Sequence, residues 1–349
     1  MHTGQRLLAA ACVAACLAAT PGSAQDATDS CSVTTKERIV AIGDVHGAYD
    51  RFVAILRTAG LVDGRERWSG GRAVLVQTGD VVDRGDDSRR ALDLLRRLER
   101  EASRAGGRVH ALLGNHEAMR LLGDLRDVSQ EEYAAFRVGT SEETRDRVYE
   151  KVSATAAAQA KATGQKFDDA AHRSRFLQET PLGAIEMLIE FGPKGEYGRW
   201  LRTHDTMVKI NGIVFVHGGI NPATSMLGCN GVNDKVRAEL SAAATATDPN
   251  ALSNSETGPL WYRGLASDPE EKIAPELEMT LERLGAKAIV VGHTVSGSRS
   301  IVTRFGGRVF QIDTGMLNGK FFPKGRASAL EIDGDTLTAI YEDGRQEIK

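Results

Sequence analysis

An acidic turn directly follows one of the most apolar runs in the chain. Residues 74–88, VLVQTGDVVDRGDDS, begin with a strand-like pattern and then place Asp80, Asp83, Asp86 and Asp87 around Arg84. A solvated surface turn is one explanation for this composition. A site that holds metal ions and phosphate is the other, because carboxylates bind divalent cations and an arginine fork binds phosphate oxygens. The other motifs of the chain decide between the two.

Five apolar runs end in a similar way, with a glycine beside a residue that can bind a metal ion. They are RIVAIGDVHG (38–47), AVLVQTGD (73–80), VHALLGNHE (109–117), GIVFVHGG (212–219) and AKAIVVGHT (286–294). Four glycines immediately precede a proposed ligand: Gly43, Gly79, Gly114 and Gly292. A residue without a Cβ lets the chain turn off a strand and lets two backbones approach one centre. The pattern therefore predicts strand ends that meet at a shared site.

The same runs indicate the fold class. Runs this apolar are typical of strands covered on both faces, and helical patterns at 48–59 and 86–105 separate the first three. That alternation predicts an α/β protein with a parallel core, whose ligands gather at the carboxyl ends of the strands. Short strand patterns near the C-terminus, with a hairpin turn at Asp333 and Gly334, predict a second sheet packed on the first. The result would be a two-sheet sandwich flanked by helices.

The ligand types predict two divalent ions. Asp44 and His46 are two residues apart, so in an extended segment they would face the same side and hold one ion. Asp80 can bridge two ions, while the neighbouring strand ends add an amide and two imidazoles, from Asn115, His217 and His293. Mixed nitrogen and oxygen ligands suit Mn, Fe or Zn better than calcium. Thiolates are missing from the set, which argues against a structural zinc site.

Two arginines are candidates for binding phosphate. Two ions about 3.5–4 Å apart can share a hydroxide and orient a phosphoryl group, and guanidinium groups then neutralise its outer oxygens. Arg84 and Arg263 are the predicted pair, and Asn115 is a further candidate for binding substrate. Trp261 and Tyr262 precede Arg263 and are expected to hold its side chain. An ordinary surface salt bridge is the other explanation for Arg263.

His116 is the candidate general acid. It follows Asn115, is not needed as a ligand, and could protonate the leaving oxygen while Asp83 fixes its tautomer. Glu117 is expected to support the ligands rather than to bind a metal itself. The acidic turn therefore has an assigned role at each position except Asp86 and Asp87, which we expect to begin the next helix at its positive end.

The N-terminus predicts export. Residues 1–24 contain one arginine, a short apolar run and a small-residue cleavage site, the features of a secretory signal peptide. A lipobox-like VAAC ending at Cys16 leaves a lipid-anchored protein open as the alternative to a soluble periplasmic or secreted one. Cys31 and Cys229 remain after cleavage, either as a disulfide or as two separate thiols. The apolar run is too short to predict a transmembrane span.

Two long segments carry no ligand motif. Residues 25–36 are predicted to be an N-terminal tail before a domain at 37–345, and residues 118–202 a helical insertion within it. The insertion is either a cap that shapes substrate access or a structural appendage. The net charge of −3, with acidic and basic residues interspersed, gives no indication of nucleic-acid binding.

The motifs resemble the phosphoprotein phosphatase group of the calcineurin-like metallophosphoesterases. GDVHG, GDVVDRG, GNHE, HGG and GHT occur in that group's order, and GPLWYRG (258–264) with IDTGM (312–316) is similar to its bacterial Shewanella-like phosphatases. The resemblance implies an αββα sandwich of two mixed sheets. It also implies that Asp44, His46 and Asp80 hold one metal, that Asp80, Asn115, His217 and His293 hold the other, and that Asp83 and His116 form the acid dyad with Arg84 and Arg263 as phosphate clamp.

The expected activity is hydrolysis of phosphate monoesters on phosphoproteins or phosphopeptides, at Ser/Thr or Tyr. Two other enzymes share the chemistry: a diadenosine polyphosphate hydrolase, which export disfavours, and a broad periplasmic phosphomonoesterase. An inactive phosphate- or protein-binding module is the alternative from another class, and the complete ligand set argues against it.

Overall fold

The computed structural model describes residues 31–242, 248–319 and 321–348. The predicted signal peptide, the lipobox alternative at Cys16 and residues 25–30 of the predicted tail lie outside the described residues. Within the described ranges, no helix combines the length and the apolar character needed to cross a membrane.

Two six-stranded mixed sheets form the centre of the fold. In spatial order, the first sheet contains Gly344–Glu347 (β12), Thr336–Tyr341 (β11), Ser328–Asp333 (β10), Ile39–Ile42 (β2), Val74–Gln77 (β3) and Arg108–Ala111 (β4). The second contains Ser32–Val33 (β1), Met207–Ile210 (β5), Ile213–Val216 (β6), Ala288–Val291 (β7), Val309–Gln311 (β9) and Val302–Arg304 (β8). Strands β2, β3 and β4 are parallel, as are β6, β7 and β9. The predicted parallel core is therefore present in both sheets.

The alternation of side chains explains why the central strands are apolar throughout. In β2, Ile39 and Ala41 face the second sheet, while Val40 and Ile42 face the helices on the other side. Strand β7 divides its side chains between two cores in the same way. Because successive residues of a strand point to opposite faces, a strand buried on both sides must be apolar at every position. The expectation that these strands are covered on both faces is confirmed.

Helices cover the outer face of each sheet. Tyr49–Thr58 (α1) and Ser88–Arg104 (α2) pack on the first sheet, and Gly228–Ser241 (α10) and Glu270–Leu284 (α12) pack on the second. Short helices occur at Pro222–Ser225 (α9) and Gly264–Ser267 (α11). The αββα sandwich is confirmed, and so is the hairpin turn that joins β10 to β11.

Six helices lie between β4 and β5, where the chain returns to the second sheet. They are Asn115–Leu122 (α3), Gln130–Phe136 (α4), Ser141–Ala162 (α5), Asp169–Glu179 (α6), Ala184–Phe191 (α7) and Glu196–Leu201 (α8). Helices α3, α4, α7 and α8 bury side chains such as Phe136 and Phe191 in the core beside the first sheet. Helices α5 and α6 form an outer hairpin with few buried side chains. The inner helices thus form part of the main core.

A disulfide joins Cys31 to Cys229, with 5.9 Å between their Cα atoms. Cys31 directly precedes β1, which pairs in parallel with β5, and Cys229 lies in the first turn of α10. Of the two alternatives that the sequence left open, the structure therefore has the disulfide.

Candidate metal centre

The predicted ligands meet at the carboxyl ends of strands from both sheets. Strands β2 and β3 are followed by Asp44, His46 and Asp80, and Asn115 begins α3 after β4. Strands β6 and β7 of the second sheet are followed by His217 and His293. All six side chains are buried. The convergence predicted from the glycine pattern is present.

Two groups of side chains can each hold a metal ion. One contains His46, Asp80 and His116, and the other contains Asp80, His217 and His293, with the ligand atoms of each group within 4.8 Å of one another. Asp80 belongs to both groups, which is the arrangement that a bridging carboxylate requires. Asp44 belongs to neither group, although its Oδ2 lies 3.9 Å from Nε2 of His46. In the first group, His116 takes the place that was expected for Asp44.

Hydrogen bonds set the tautomers of two histidines. Nδ1 of His46 donates to the carbonyl oxygen of Val82 at 3.0 Å, and Nδ1 of His217 donates to that of Thr78 at 2.9 Å. Each bond places a proton on Nδ1 and directs Nε2 into the site. Histidines that bind metals are commonly oriented in this way by a backbone carbonyl.

The contacts around His217 fit a divalent cation. Its Nε2 lies 3.0 Å from Oδ1 of Asn115, 3.0 Å from Nδ1 of His293 and 3.2 Å from Oδ2 of Asp80. This nitrogen and two oxygens, all of which can bind a metal ion, therefore face one another. Imidazole nitrogen with carboxylate and amide oxygens suits borderline divalent metals. The donor set therefore fits a metal.

The pKa values of the histidines at the site are shifted in different directions. Burial lowers the pKa of His46 to about 3 and that of His293 to about 2, so both rings are neutral and can ligate. Burial would also lower the pKa of His116, but the charges of Asp80 and Asp83 outweigh it and raise that pKa. The raised pKa favours a protonated His116, which is the form that a general acid requires.

The backbone at the site is strained. Five site residues have positive φ, a conformation that costs about 1–3 kcal/mol for a residue with a side chain: His46, Asp80, Asp83, Arg84 and His293. Asp44 and His46 were expected to lie in one extended segment; instead, the chain turns at His46, whose φ is 48°. The turn, rather than alternation along a strand, brings the two side chains together.

Two glycines make this geometry feasible. A Cβ on Gly79 would lie 2.4 Å from the backbone nitrogen of Gly114, and a Cβ on Gly114 would lie 2.2 Å from Oδ1 of Asp80. Any larger residue at either position would push the loops after β3 and β4 apart. Close approach is thus the reason for glycine here, as the sequence pattern indicated.

His116 and Asp83 form a buried pair. Nδ1 of His116 lies 2.7 Å from Oδ2 of Asp83, and Nε2 faces the metal groups at 3.9 Å from Oδ2 of Asp80. The neighbouring Glu117 accepts backbone N–H bonds from Asp80 and Gly114, both at 2.8 Å. It holds the loops that carry the ligands, and neither of the metal groups found among the described residues includes it.

The two arginines reach the site from different sides. Arg84 donates from its guanidinium to Nε2 of His46 at 2.6 Å and lies over the ring of Phe322, 5.5 Å from its centroid. Arg263 donates to the carbonyl oxygen of His293 at 2.8 Å and to the Thr294 hydroxyl at 3.0 Å. Arg84 thus already contacts the His46 nitrogen that a metal ion would use, so metal binding there would displace Arg84 from this nitrogen.

Several buried groups at the site were missed by the sequence analysis. Asp313, beyond β9, is fully buried beside Asp44, and its Oδ2 has no hydrogen-bond partner among the described residues. Burial raises the pKa of Asp313 to about 6. The quoted IDTGM motif contained this residue, and its position after a strand of the parallel core was the signal. Arg120 contacts Asp83, and Glu132 contacts Arg120; neither belongs to a motif.

Comparison with known proteins identifies relatives. The calcineurin-like phosphoesterase family profile matches residues 37–297. Shewanella-like protein phosphatase 1 of Plasmodium berghei is 29% identical over 87% of this chain and 74% of its own. Shewanella-like protein phosphatase 2 of Arabidopsis thaliana is also 29% identical, over 87% and 77%.

A solved structure gives the same assignment. The cold-active protein-tyrosine phosphatase of a psychrophilic Shewanella species superposes with a TM-score of 0.68 at 27% identity, covering 91% of this chain and 82% of that one. The motifs, the sandwich and the buried His and Asp groups agree with these matches. The chain therefore belongs to the calcineurin-like metallophosphoesterase family and, within it, is a phosphatase similar to the Shewanella-like enzymes.

Proposed function

We propose that the protein is an exported phosphatase that uses two divalent ions to hydrolyse phosphate monoesters on phosphoproteins or phosphopeptides. The observation that carries the proposal is the position of Asp80, which belongs to both groups that could hold a metal ion and lies 3.9 Å from Nε2 of a histidine held by a second carboxylate. Bound at these groups, Mn, Fe or Zn ions would supply Lewis acidity and an activated water.

The other residues of the site have separate roles in the proposed reaction. His116 gives its proton from Nε2 to the leaving oxygen, while Asp83 holds Nδ1 and stabilises the charged ring. Arg84 and Arg263 bind the outer phosphate oxygens from the two sides of the site. Asn115 contributes its carbonyl oxygen to the metal group around His217 and its amide to the substrate.

Two observations favour a phosphorylated tyrosine among the substrates. The ring of Phe322 stacks on His46 with 5.7 Å between centroids, so the rim of the site offers an aromatic wall. The Shewanella relative is named as a protein-tyrosine phosphatase. An aryl phosphate could stack on Phe322 while its phosphate lies between the arginines.

The test is phosphate release from one peptide prepared with phosphotyrosine or phosphothreonine. We expect the mature protein with Mn²⁺ to hydrolyse the phosphotyrosine peptide, a chelator to abolish turnover, and His116→Asn to lower it by about 10²–10⁴-fold. His172→Asn, which changes a histidine on α6 outside the site, is the matched control and should retain activity.

The other outcomes separate the alternatives. Turnover of small phosphates or diadenosine polyphosphates without turnover of either peptide would refute the protein-phosphatase assignment. Metal binding with no turnover of any phosphate would leave only a binding module. For export, fractionation of cells that make the full chain should place the processed protein outside the cytoplasm. A palmitate-labelled product would instead show the lipid-anchored form.

A further inference from the structure

A chain of buried polar side chains continues behind His116. Nδ1 of His116 lies 2.7 Å from Oδ2 of Asp83, and the other oxygen, Oδ1, accepts from Nε of Arg120 at 2.6 Å. The far end of the guanidinium donates to Glu132 on α4. The side chains of all four residues are at most 1% exposed. Both oxygens of the Asp83 carboxylate are therefore held, one by the dyad partner and one by Arg120.

Stability does not explain why an arginine occupies this position. The guanidinium lies 5.1 Å from the centroid of the Phe191 ring and 3.3 Å from Sδ of Met187, both on α7. An apolar side chain would fit such surroundings, and replacing a buried ion pair with well-packed apolar residues is often neutral or stabilising. We therefore attribute the buried guanidinium, which contacts Asp83 and Glu132 as well as these apolar side chains, to a role in the neighbouring dyad.

Arg120 also affects the charge of its partner. Burial alone would raise the pKa of Asp83, but Arg120 is the largest opposing influence and, with His116, brings that pKa below its usual value. An ionised and fixed carboxylate keeps the proton of the ring on Nδ1 and directs Nε2 towards the metal groups. Without Arg120, the carboxylate could rotate and the ring would lose its fixed direction.

We propose that Arg120 is a positioning residue for the general acid: it holds Asp83, which in turn holds His116, and so couples the inner helices of the insertion to proton transfer. The inference rests on the proposed function. It answers the question that the sequence left open about residues 118–202, since Arg120 and Glu132 both belong to this segment. The insertion supports the catalytic dyad from behind in addition to any effect on substrate access.

The test compares two variants that differ only at position 120. Glu132→Gln is the reference, and Arg120→Met combined with Glu132→Gln removes the guanidinium without leaving Glu132 unpaired. The readout is kcat/KM for phosphate esters whose leaving groups differ in their need for a proton. Relative to Glu132→Gln, we expect kcat/KM of the double variant to fall about 10–100-fold for phenyl phosphate and less than about 3-fold for dinitrophenyl phosphate. A good leaving group departs without an acid, so only poor ones should reveal the loss.

Two further variants make the result decisive. Arg120→Lys keeps a donor for Asp83 and should restore part of the loss with the same leaving-group dependence; it also serves if the double variant does not fold. Arg202→Met removes an arginine that donates to four carbonyl oxygens within and beside the insertion, and should change stability but not leaving-group dependence.

Two results would overturn the inference while the wild type remains an active phosphatase. One is an equal fall in kcat/KM of the double variant for all esters, which indicates a general structural effect. The other is an unchanged kcat/KM for phenyl phosphate. A wild-type protein inactive on every ester would overturn the proposed function and this inference with it.

Discussion

Replacement of Glu117 by glutamine should damage the site although the two side chains have nearly the same shape. Oε2 of Glu117 accepts from the backbone nitrogens of Asp80 and Gly114, both at 2.8 Å, and Oε1 accepts from those of Val81 at 2.8 Å and Val82 at 3.3 Å. Burial and the charge of Asp80 raise the pKa of Glu117, while these N–H groups favour its ionised form.

The cost follows from the number of donors. Glutamine has one carbonyl oxygen, so its amide group must face two backbone N–H groups that then have no acceptor. A hydrogen bond to a charged group contributes about 1.5–3 kcal/mol, so two lost bonds destabilise the protein by about 3 kcal/mol or more. The affected nitrogens belong to the loop that carries Asp80, so metal affinity should also fall, by about 10–100-fold.

Urea unfolding with a chelator present and titration with Mn²⁺ measure the two effects separately. Glu131→Gln, at an exposed position on α4, is the matched control and should change neither. If Glu117→Gln lowers the free energy of unfolding by less than about 1 kcal/mol and leaves metal affinity unchanged, these backbone hydrogen bonds are not what holds the Asp80 loop.

Three other predictions concern the shared carboxylate, the disulfide and a histidine outside the site. Asp80→Asn should abolish binding of both metal ions, as measured by metal content after dialysis; retention of one full equivalent would contradict a bridging role. Cys31→Ser should lower the free energy of unfolding by about 2–5 kcal/mol in the absence of reductant, and the difference from wild type should disappear when dithiothreitol reduces the bond to Cys229. Burial, aided by the charge of Arg108, lowers the pKa of His110 from 6.5 to about 4. The unfolded chain therefore binds more protons between these values, and stability falls as the pH drops. Between pH 7 and pH 5, the free energy of unfolding of the wild type should fall by about 1–2 kcal/mol more than that of His110→Gln. Parallel plots of unfolding free energy against pH for the two proteins would show that His110 is not the cause.

The sequence predicted the parts of the site that depend on local chain geometry. A ligand that follows a glycine at the end of an apolar run can be recognised from a few consecutive residues, because the strand and the turn are both local. The order of the strands follows from the βαβ pattern, so the meeting of Asp44, Asp80 and Asn115 could be expected. His217 and His293 followed from the same pattern in the second sheet.

The parts that were missed depend on contacts between distant segments. Arg120 lies on a helix whose sequence gives no sign of which face meets Asp83, 37 residues earlier. Glu132 lies in a segment without a motif, and its role follows only from the packing of α4 against the inner helices. The left-handed turn at His46 was missed for another reason: a non-glycine residue seldom adopts positive φ, and only the surrounding structure stabilises it.

The disulfide has a consequence for limited proteolysis. Cys31 directly precedes β1 and Cys229 lies beyond β6, so the disulfide joins positions 198 residues apart in the sequence and closes a loop that includes the whole insertion. The turn between α5 and α6 is exposed and contains Lys166, a site for trypsin. A chain cut there should migrate as one species on a non-reducing gel and separate into two fragments after reduction. Because the cut lies in the outer hairpin, far from the bonds that hold Asp83 and Glu117, the nicked protein should still carry every residue of the metal centre on two covalently linked halves.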